Sequence, residues 1–221
     1  MIINRENIAL ITGAGSGIGK ELAFQVSKMN YHVLLLGRKV NHLEKVHDRI
    51  KTDKGVSTTI NLDLKDFEGI DRLGFEIFKK FKKLDLLILN AGVLGTLSPL
   101  SHQDPSEFEE VIKINLISNF RLIRSMEPLL KNSDKAKVIF ISSGAAKNPK
   151  AYWGAYSISK IALEQMAKIW QVENKSNNIQ IEIVNPGATR TKMRAMAMPG
   201  EDPNLIPSAS ENAKKILSIL N

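Results

Sequence analysis

Short, almost continuously apolar runs alternate along the chain with longer stretches in which apolar residues recur every three or four positions. The short runs read as strands: "IALIT" (8–12), "HVLLLG" (32–37), "STTINL" (57–62), "LDLLILN" (84–90), "KVIFISS" (137–143) and "IQIEIVN" (179–185). A strand buried on both faces has no polar side, so a near-continuous apolar run is its signature. The longer stretches read as helices over 18–30, 40–52, 67–81, 106–130, 155–175 and 208–220. This alternation argues for an α/β fold, a parallel sheet with helices on both faces. Sites in such sheets collect beyond the carboxyl ends of the strands. One long irregular region, 186–207, is rich in Pro, Gly and Met. A loop that long inside a compact domain is usually functional, and about 187–207 is expected to be a substrate loop. With no repeat, low-complexity segment or linker, residues 1–221 are expected to form one domain.

Composition narrows the classes. The chain has 221 residues, enough for a sizeable core. It has no cysteine, which excludes disulfides and thiolate metal sites and leaves a cytoplasmic home as the expectation. The start, "MIINRENIALITGAGSG", has a short apolar run leading into a glycine-rich turn, unlike a signal peptide. No run approaches the roughly 20 apolar residues that span a bilayer, so no membrane partner is expected. The net charge of +8 is spread thinly, with only small clusters such as Lys79-Lys80 and Lys82-Lys83. Without aromatics interleaved in a basic stretch, it reads as solvated surface, and no nucleic-acid partner is expected.

The chemistry begins at "TGAGSGIG" (12–19), between the first strand and the first helix. Gly13, Gly17 and Gly19 permit a tight turn and let a pyrophosphate approach the backbone. The helix N-terminus behind them offers free N–H groups and a positive dipole end. A glycine cluster alone is a weak signal; the strand before it and the helix after it make dinucleotide binding the expectation. In dinucleotide folds an acid about 20 positions on holds the ribose 2′-hydroxyl of NAD. Here that position is Gly37, and Arg38 follows. A guanidinium suits the 2′-phosphate of NADP, so NADP(H) is favoured and NAD(H) is the alternative.

In "AYWGAYSISKIALEQM" (151–166), Tyr156 and Lys160 stand at i and i+4, on one helix face. A free tyrosine has a pKa near 10, and a nearby ammonium lowers it. The pair is therefore either a proton-transfer couple or a half-buried aromatic beside a solvated lysine.

Taken in order, these motifs resemble the short-chain dehydrogenase/reductase family, in its single-domain type. "TGAGSGIG", including Ser16 and Ile18, is similar to the family's cofactor turn. "NLDL" presents Asp63 and Leu64 like its adenine contact, and "LNAG" presents Asn90, Ala91 and Gly92 like its N-A-G motif, with Leu89 where the first of two asparagines is usual. "IKINLIS" places Asn115 like the family's helix asparagine. "IFISSGAA" supplies Ser143, 13 residues before Tyr156, and Tyr156 and Lys160 form Y-x-x-x-K. "NPGATRT" gives Pro186, Gly187, Thr189 and Thr191, similar to the cofactor-closing segment. The resemblance covers about residues 7 to 220. Within the family, "WGAYSISKIALEQM" and "TRTKMRAMAMPGEDP" resemble a bacterial subgroup, the YciK-like oxidoreductases.

The resemblance implies a Rossmann-type, doubly wound parallel sheet of about six strands in the order 3-2-1-4-5-6, the usual seventh strand being missing from a chain that ends at Asn221. It implies an oxidoreductase that moves a hydride between a nicotinamide cofactor and a small carbonyl or alcohol. Tyr156 would be the general acid and base, Ser143 would steady the substrate oxygen, and Lys160 would hold the nicotinamide ribose. Asn115 would anchor a water linking Lys160 to solvent. A homodimer through the helices carrying Asn115 and Tyr156 is expected. A catalytically silent, redox-sensing dinucleotide binder is the alternative function, although such members tend to lose the tyrosine or lysine kept here. Trp153, one turn before Tyr156, and Met193 are expected to meet the substrate. Met193, Met196 and Met198 either cover an apolar ligand or pack the loop onto the body. Lys192 and Arg194 either meet an anionic group or are solvated.

Overall fold

The computed structural model describes residues 7–220; the expectation about a leader at the chain's start lies largely outside them. Six parallel strands form one sheet: β1 (Asn7–Thr12), β2 (Tyr31–Gly37), β3 (Val56–Asn61), β4 (Leu86–Leu89), β5 (Ala136–Ile141) and β6 (Ile179–Val184). Their order is β3-β2-β1-β4-β5-β6, as expected. The helices are α1 (Gly17–Ser27), α2 (Val40–Thr52), α3 (Phe67–Phe81), α4 (Pro105–Ile112), α5 (Ser118–Lys131), α6 (Gly154–Glu173), α7 (Lys192–Ala197) and α8 (Ala209–Leu217).

The pleat sends alternate residues to opposite faces. Leu10, Leu34, Leu87, Val138 and Phe140 meet α3, α5 and α6 on one face. Ala9, Ile11, Val33, Leu35, Ile88 and Ile139 meet α1, α2 and α8 on the other. All four residues of β4 are buried, which is why its sequence shows no alternation. The edge strand β6 does alternate, with Gln180 and Glu182 exposed. Winding reverses between β1 and β4, so a crevice opens beyond their carboxyl ends.

Three departures from the expected pattern matter for the site. The predicted helix over 106–130 is divided: α4 runs into a π-helical turn, Lys113–Ile117, before α5 begins. Its wider turn carries Asn115, a fully buried polar residue that bonds outside its own helix. Such turns often mark functional sites. The predicted strand over 84–90 is shorter, Leu86–Leu89: at one end the Asp85 carboxylate accepts the Ile8 N–H at 2.8 Å, and at the other the Asn90 N–H turns to the Thr12 hydroxyl at 3.0 Å. The 186–207 region contains α7, whose start is capped by Thr191 Oγ1 accepting the Arg194 N–H at 3.1 Å. Among the described residues no helix is long and apolar enough to cross a membrane.

Candidate active site

The ends of β1 and β4 are tied by one side chain. The fully buried Thr12 hydroxyl accepts the N–H groups of Asn90 and Ala91, each at 3.0 Å, and Asn90 Nδ2 donates to the Thr12 carbonyl at 2.9 Å. The glycine turn folds over this junction. Gly13 has φ +68°, and a Cβ on Gly19 would lie 2.3 Å from the Gly13 carbonyl oxygen. Only glycine fits there, which brings the start of α1 close against the strand end. Ser16 at the N-cap of α1 makes no side-chain cap bond, and the first turn holds no acidic residue. The free N–H groups and positive dipole end of α1 therefore suit an anion. Thr191 faces this turn, its methyl 3.5 Å from where a Gly17 Cβ would be. The cradle fits a dinucleotide pyrophosphate.

The remaining candidate cofactor residues lie around the same sheet edge, in differing states. Ser16 and Arg38 are exposed; Ile18 packs on the core below. Asp63 follows β3, its carboxylate accepting the Lys65 N–H at 2.9 Å, whereas the Leu64 side chain is packed in the core. Ala91 and Gly92 lead out of the β4 end, and Gly92 sits against Asn115 and Lys160. Pro186 is half-buried and Gly187 exposed, with φ +71°. Thr189 turns inward: its hydroxyl donates to the Gly187 carbonyl at 3.2 Å and accepts Asn212 Nδ2 of α8 at 2.7 Å. The Thr189 hydroxyl is therefore already paired twice within the chain.

Ser143, at the end of β5, and Tyr156 and Lys160, on one face of α6, come together beside this cradle. Two anchors fix them. The Ser142 hydroxyl donates to Glu164 of α6 at 2.6 Å, and Lys160 Nζ donates to the Ile141 carbonyl at 2.8 Å. Tyr156 and Lys160 are both buried, the ammonium nitrogen 5.9 Å from the phenol ring centroid. Asn115 is held with them: its Nδ2 donates to the Val93 carbonyl and to Ser159 Oγ, each at 2.9 Å, and Ser159 Oγ donates to the Tyr156 carbonyl at 2.7 Å.

Electrostatics depart from the sequence expectation. Lys160 was expected to pull the Tyr156 pKa down. Burial instead pushes the phenol up, and the Ser143 hydroxyl opposes this only in part. Burial also holds Lys160 down, at about 8, so its own charge is disfavoured. The polypeptide's own field thus favours a protonated Tyr156.

Trp153 packs edge-on against Tyr156, ring centroids 5.8 Å apart, and Met193 and Met198 join Leu94 and Ala145 around them. Met196 is 71% exposed and takes no part. A crevice of about 200 Å³ opens beside Ser143 and Trp153, with Lys150 and Arg194 on its wall. Thr12 and Ser159, which hold the site together, were not singled out from sequence, and Val93 stood out only with Leu94 as following the N-A-G turn, near the substrate. The one available signal was a buried polar residue at a strand end, at Thr12.

The model of the short-chain dehydrogenase family matches residues 7–202. The Escherichia coli (strain K12) oxidoreductase YciK is 34% identical over 209 residues, covering 93% of this chain and 82% of that protein. A short-chain dehydrogenase structure from Shigella flexneri 2a, complexed with NADP, superposes with a TM-score of 0.93 at 34% identity, covering 97% of this chain and 91% of that one. Another from Escherichia coli CFT073, complexed with NADPH, gives 0.90 at 34% identity, covering 96% and 89%.

Proposed function

The chain belongs to the short-chain dehydrogenase family, and from that premise we propose that it is an NADP(H)-dependent oxidoreductase acting on a carbonyl or alcohol, with Tyr156 as the general acid and base. The observation that carries the reading is the buried Tyr156 phenol between the Ser143 hydroxyl and the Lys160 amine. A substrate oxygen seated between the two hydroxyls would take a hydrogen bond from Ser143 as negative charge builds on it. Tyr156, kept protonated by burial, would donate its proton to that oxygen in reduction and remove it in oxidation. Lys160 would hold the nicotinamide ribose and return a proton to Tyr156. The Asn115 amide is committed to Val93 and Ser159, so we assign the holding of a relay water to its backbone carbonyl, which also accepts Asn119 Nδ2 at 2.7 Å.

The cofactor, when bound, supplies the hydride. Gly13, Ser16, Gly17, Ile18 and Gly19 would cradle its pyrophosphate, with Asp63 and Leu64 near the adenine. Asn90, Ala91, Gly92, Pro186, Gly187, Thr189 and Thr191 would enclose the rest. Arg38 would take the 2′-phosphate. The NADP and NADPH complexes of similar structures support the phosphorylated form. Trp153 and Met193 would wall the substrate.

A homodimer would join copies through α5 and α6. Ile158, Ile161, Ile169 and Val172 form one exposed stripe on α6, and Phe120 is exposed on α5. The test of function is NADPH consumption against a panel of ketones and aldehydes. Tight NADPH binding without turnover of any would contradict the reading.

A further inference from the structure

Two cations on the crevice wall, Lys150 and Arg194, have no part in the chemistry above. The Lys150 ammonium lies 5.0 Å from the centroid of the Trp153 ring, the same ring that packs on Tyr156. The Arg194 guanidinium is held by the Glu201 carboxylate through two bonds, from Nε at 2.6 Å and Nη2 at 2.5 Å. That planar fork matches any carboxylate, and here a carboxylate of the chain itself fills it. The two side chains are 23% and 25% exposed. A paired fork largely shielded from water is stronger than an exposed surface pair, so a substrate carboxylate must remake both of its bonds to exchange with Glu201. Two cations against one anion leave the wall net positive by one charge. The rest of the lining is mixed: Trp153, Ala145 and Ala188 supply apolar surface, and Asn148 and Asn185 supply amides.

We propose that the crevice selects carbonyl substrates bearing a carboxylate, which displaces Glu201 from Arg194 and is shared with Lys150. The proposal rests on reading the crevice as the place where the carbonyl reacts. The carbonyl end points to Ser143, and a short apolar or aromatic spacer lies along Trp153. Glu201 is then an internal competitor that keeps the fork ordered until substrate arrives.

The test is calorimetric titration of the NADP-loaded protein with 4-carboxybenzaldehyde and with benzaldehyde, which differ by one carboxylate. The carboxylated aldehyde should bind about tenfold tighter, the size of one charge-assisted hydrogen bond. Arg194→Met should remove most of that ratio, Lys150→Met should reduce it, and Glu201→Gln should raise it. Loss of folding does not mimic a rise, and Arg194→Lys, which keeps charge without the fork, should give an intermediate ratio. Equal affinities, binding of neither aldehyde, or an unchanged ratio in Arg194→Met would overturn the proposal. So would an Arg194→Met variant that loses NADP affinity while keeping the ratio, since the fork would then serve a cofactor phosphate. Turnover with NADPH separates the two readings. Reduction of benzaldehyde with no carboxylate preference overturns the anion site alone. Carboxylate-selective binding with reduction of neither aldehyde overturns the assigned chemistry and leaves the anion site.

Discussion

Asn115 holds Val93 by both polar groups of its backbone: the Val93 N–H donates to Oδ1 at 2.8 Å, and Nδ2 donates to the Val93 carbonyl at 2.9 Å. A third bond, to Ser159, links this clasp to the turn of α6 that carries Tyr156. The π-helical turn therefore fixes the segment leaving β4 against the α6 face. Asn115→Leu strips partners from the Val93 backbone and from Ser159. We predict a loss of about 2–4 kcal/mol in urea unfolding, from polar groups left without partners. A loss below about 0.5 kcal/mol, typical of a surface change, would show that the clasp is not structural.

Lys160 predicts a pH dependence of stability. Its folded pKa of about 8 lies below the ordinary 10.5. Below the folded value both states carry the proton, and burying the charge destabilises the native state in full. Between the two values the unfolded chain binds a proton that the folded chain does not, so stability from this group rises with pH. The upper bound is on the order of 3 kcal/mol. In urea unfolding, the stability of wild type relative to Lys160→Met should rise as pH rises across this window. A constant difference would mean that Lys160 is not held down by burial.

Arg38 predicts cofactor choice. Arg38→Ala should weaken NADPH binding about 10- to 100-fold, as expected for loss of charge-assisted bonds to a phosphate, and should narrow the gap to NADH. Thermal shifts with the four cofactor forms at equal concentration read this, because a ligand of the native state raises its stability by mass action. Equal shifts for NADPH and NADH in wild type would remove the role given to Arg38.

The stripe on α6 predicts association. Ile161 is 56% exposed at its centre, flanked by Ile158 and Ile169. Light scattering on wild type should give the mass of a dimer, and Ile161→Glu should give a monomer, because a charge forced into an apolar interface is costly. A wild-type monomer would leave the stripe without this role.

Much of the fold was legible because its helices are strongly one-sided. α2 and α3 have the bounds read from periodicity, since Leu43, Val46 and Ile50, and Ile70, Leu73 and Ile77, each line one buried stripe. The π-helical turn at Asn115 was not legible. One inserted residue shifts the apolar pattern too little to break a 25-residue run. Nor was α7, whose six residues are too few to show a period. Ser143, Tyr156, Lys160 and Asn115 could be brought together from motif order, but their electrostatics could not. The sign at Tyr156 depends on how much water burial removes, which only packing determines. The inward turn of Thr189 likewise depends on Asn212, a partner 23 residues away on another element.

The most direct measurement is the rate of NADPH oxidation with a reducible carbonyl, in wild type and Tyr156→Phe, at matched cofactor occupancy and across pH. Because burial raises the Tyr156 pKa, the proton needed for reduction is present at neutral pH and is lost only as pH rises through that value. We predict that wild-type reduction falls at alkaline pH while alcohol oxidation rises. Tyr156→Phe should bind NADPH but turn over about 10²- to 10⁴-fold more slowly, the usual share of a positioned acid. Turnover retained in Tyr156→Phe with NADPH bound would contradict the account.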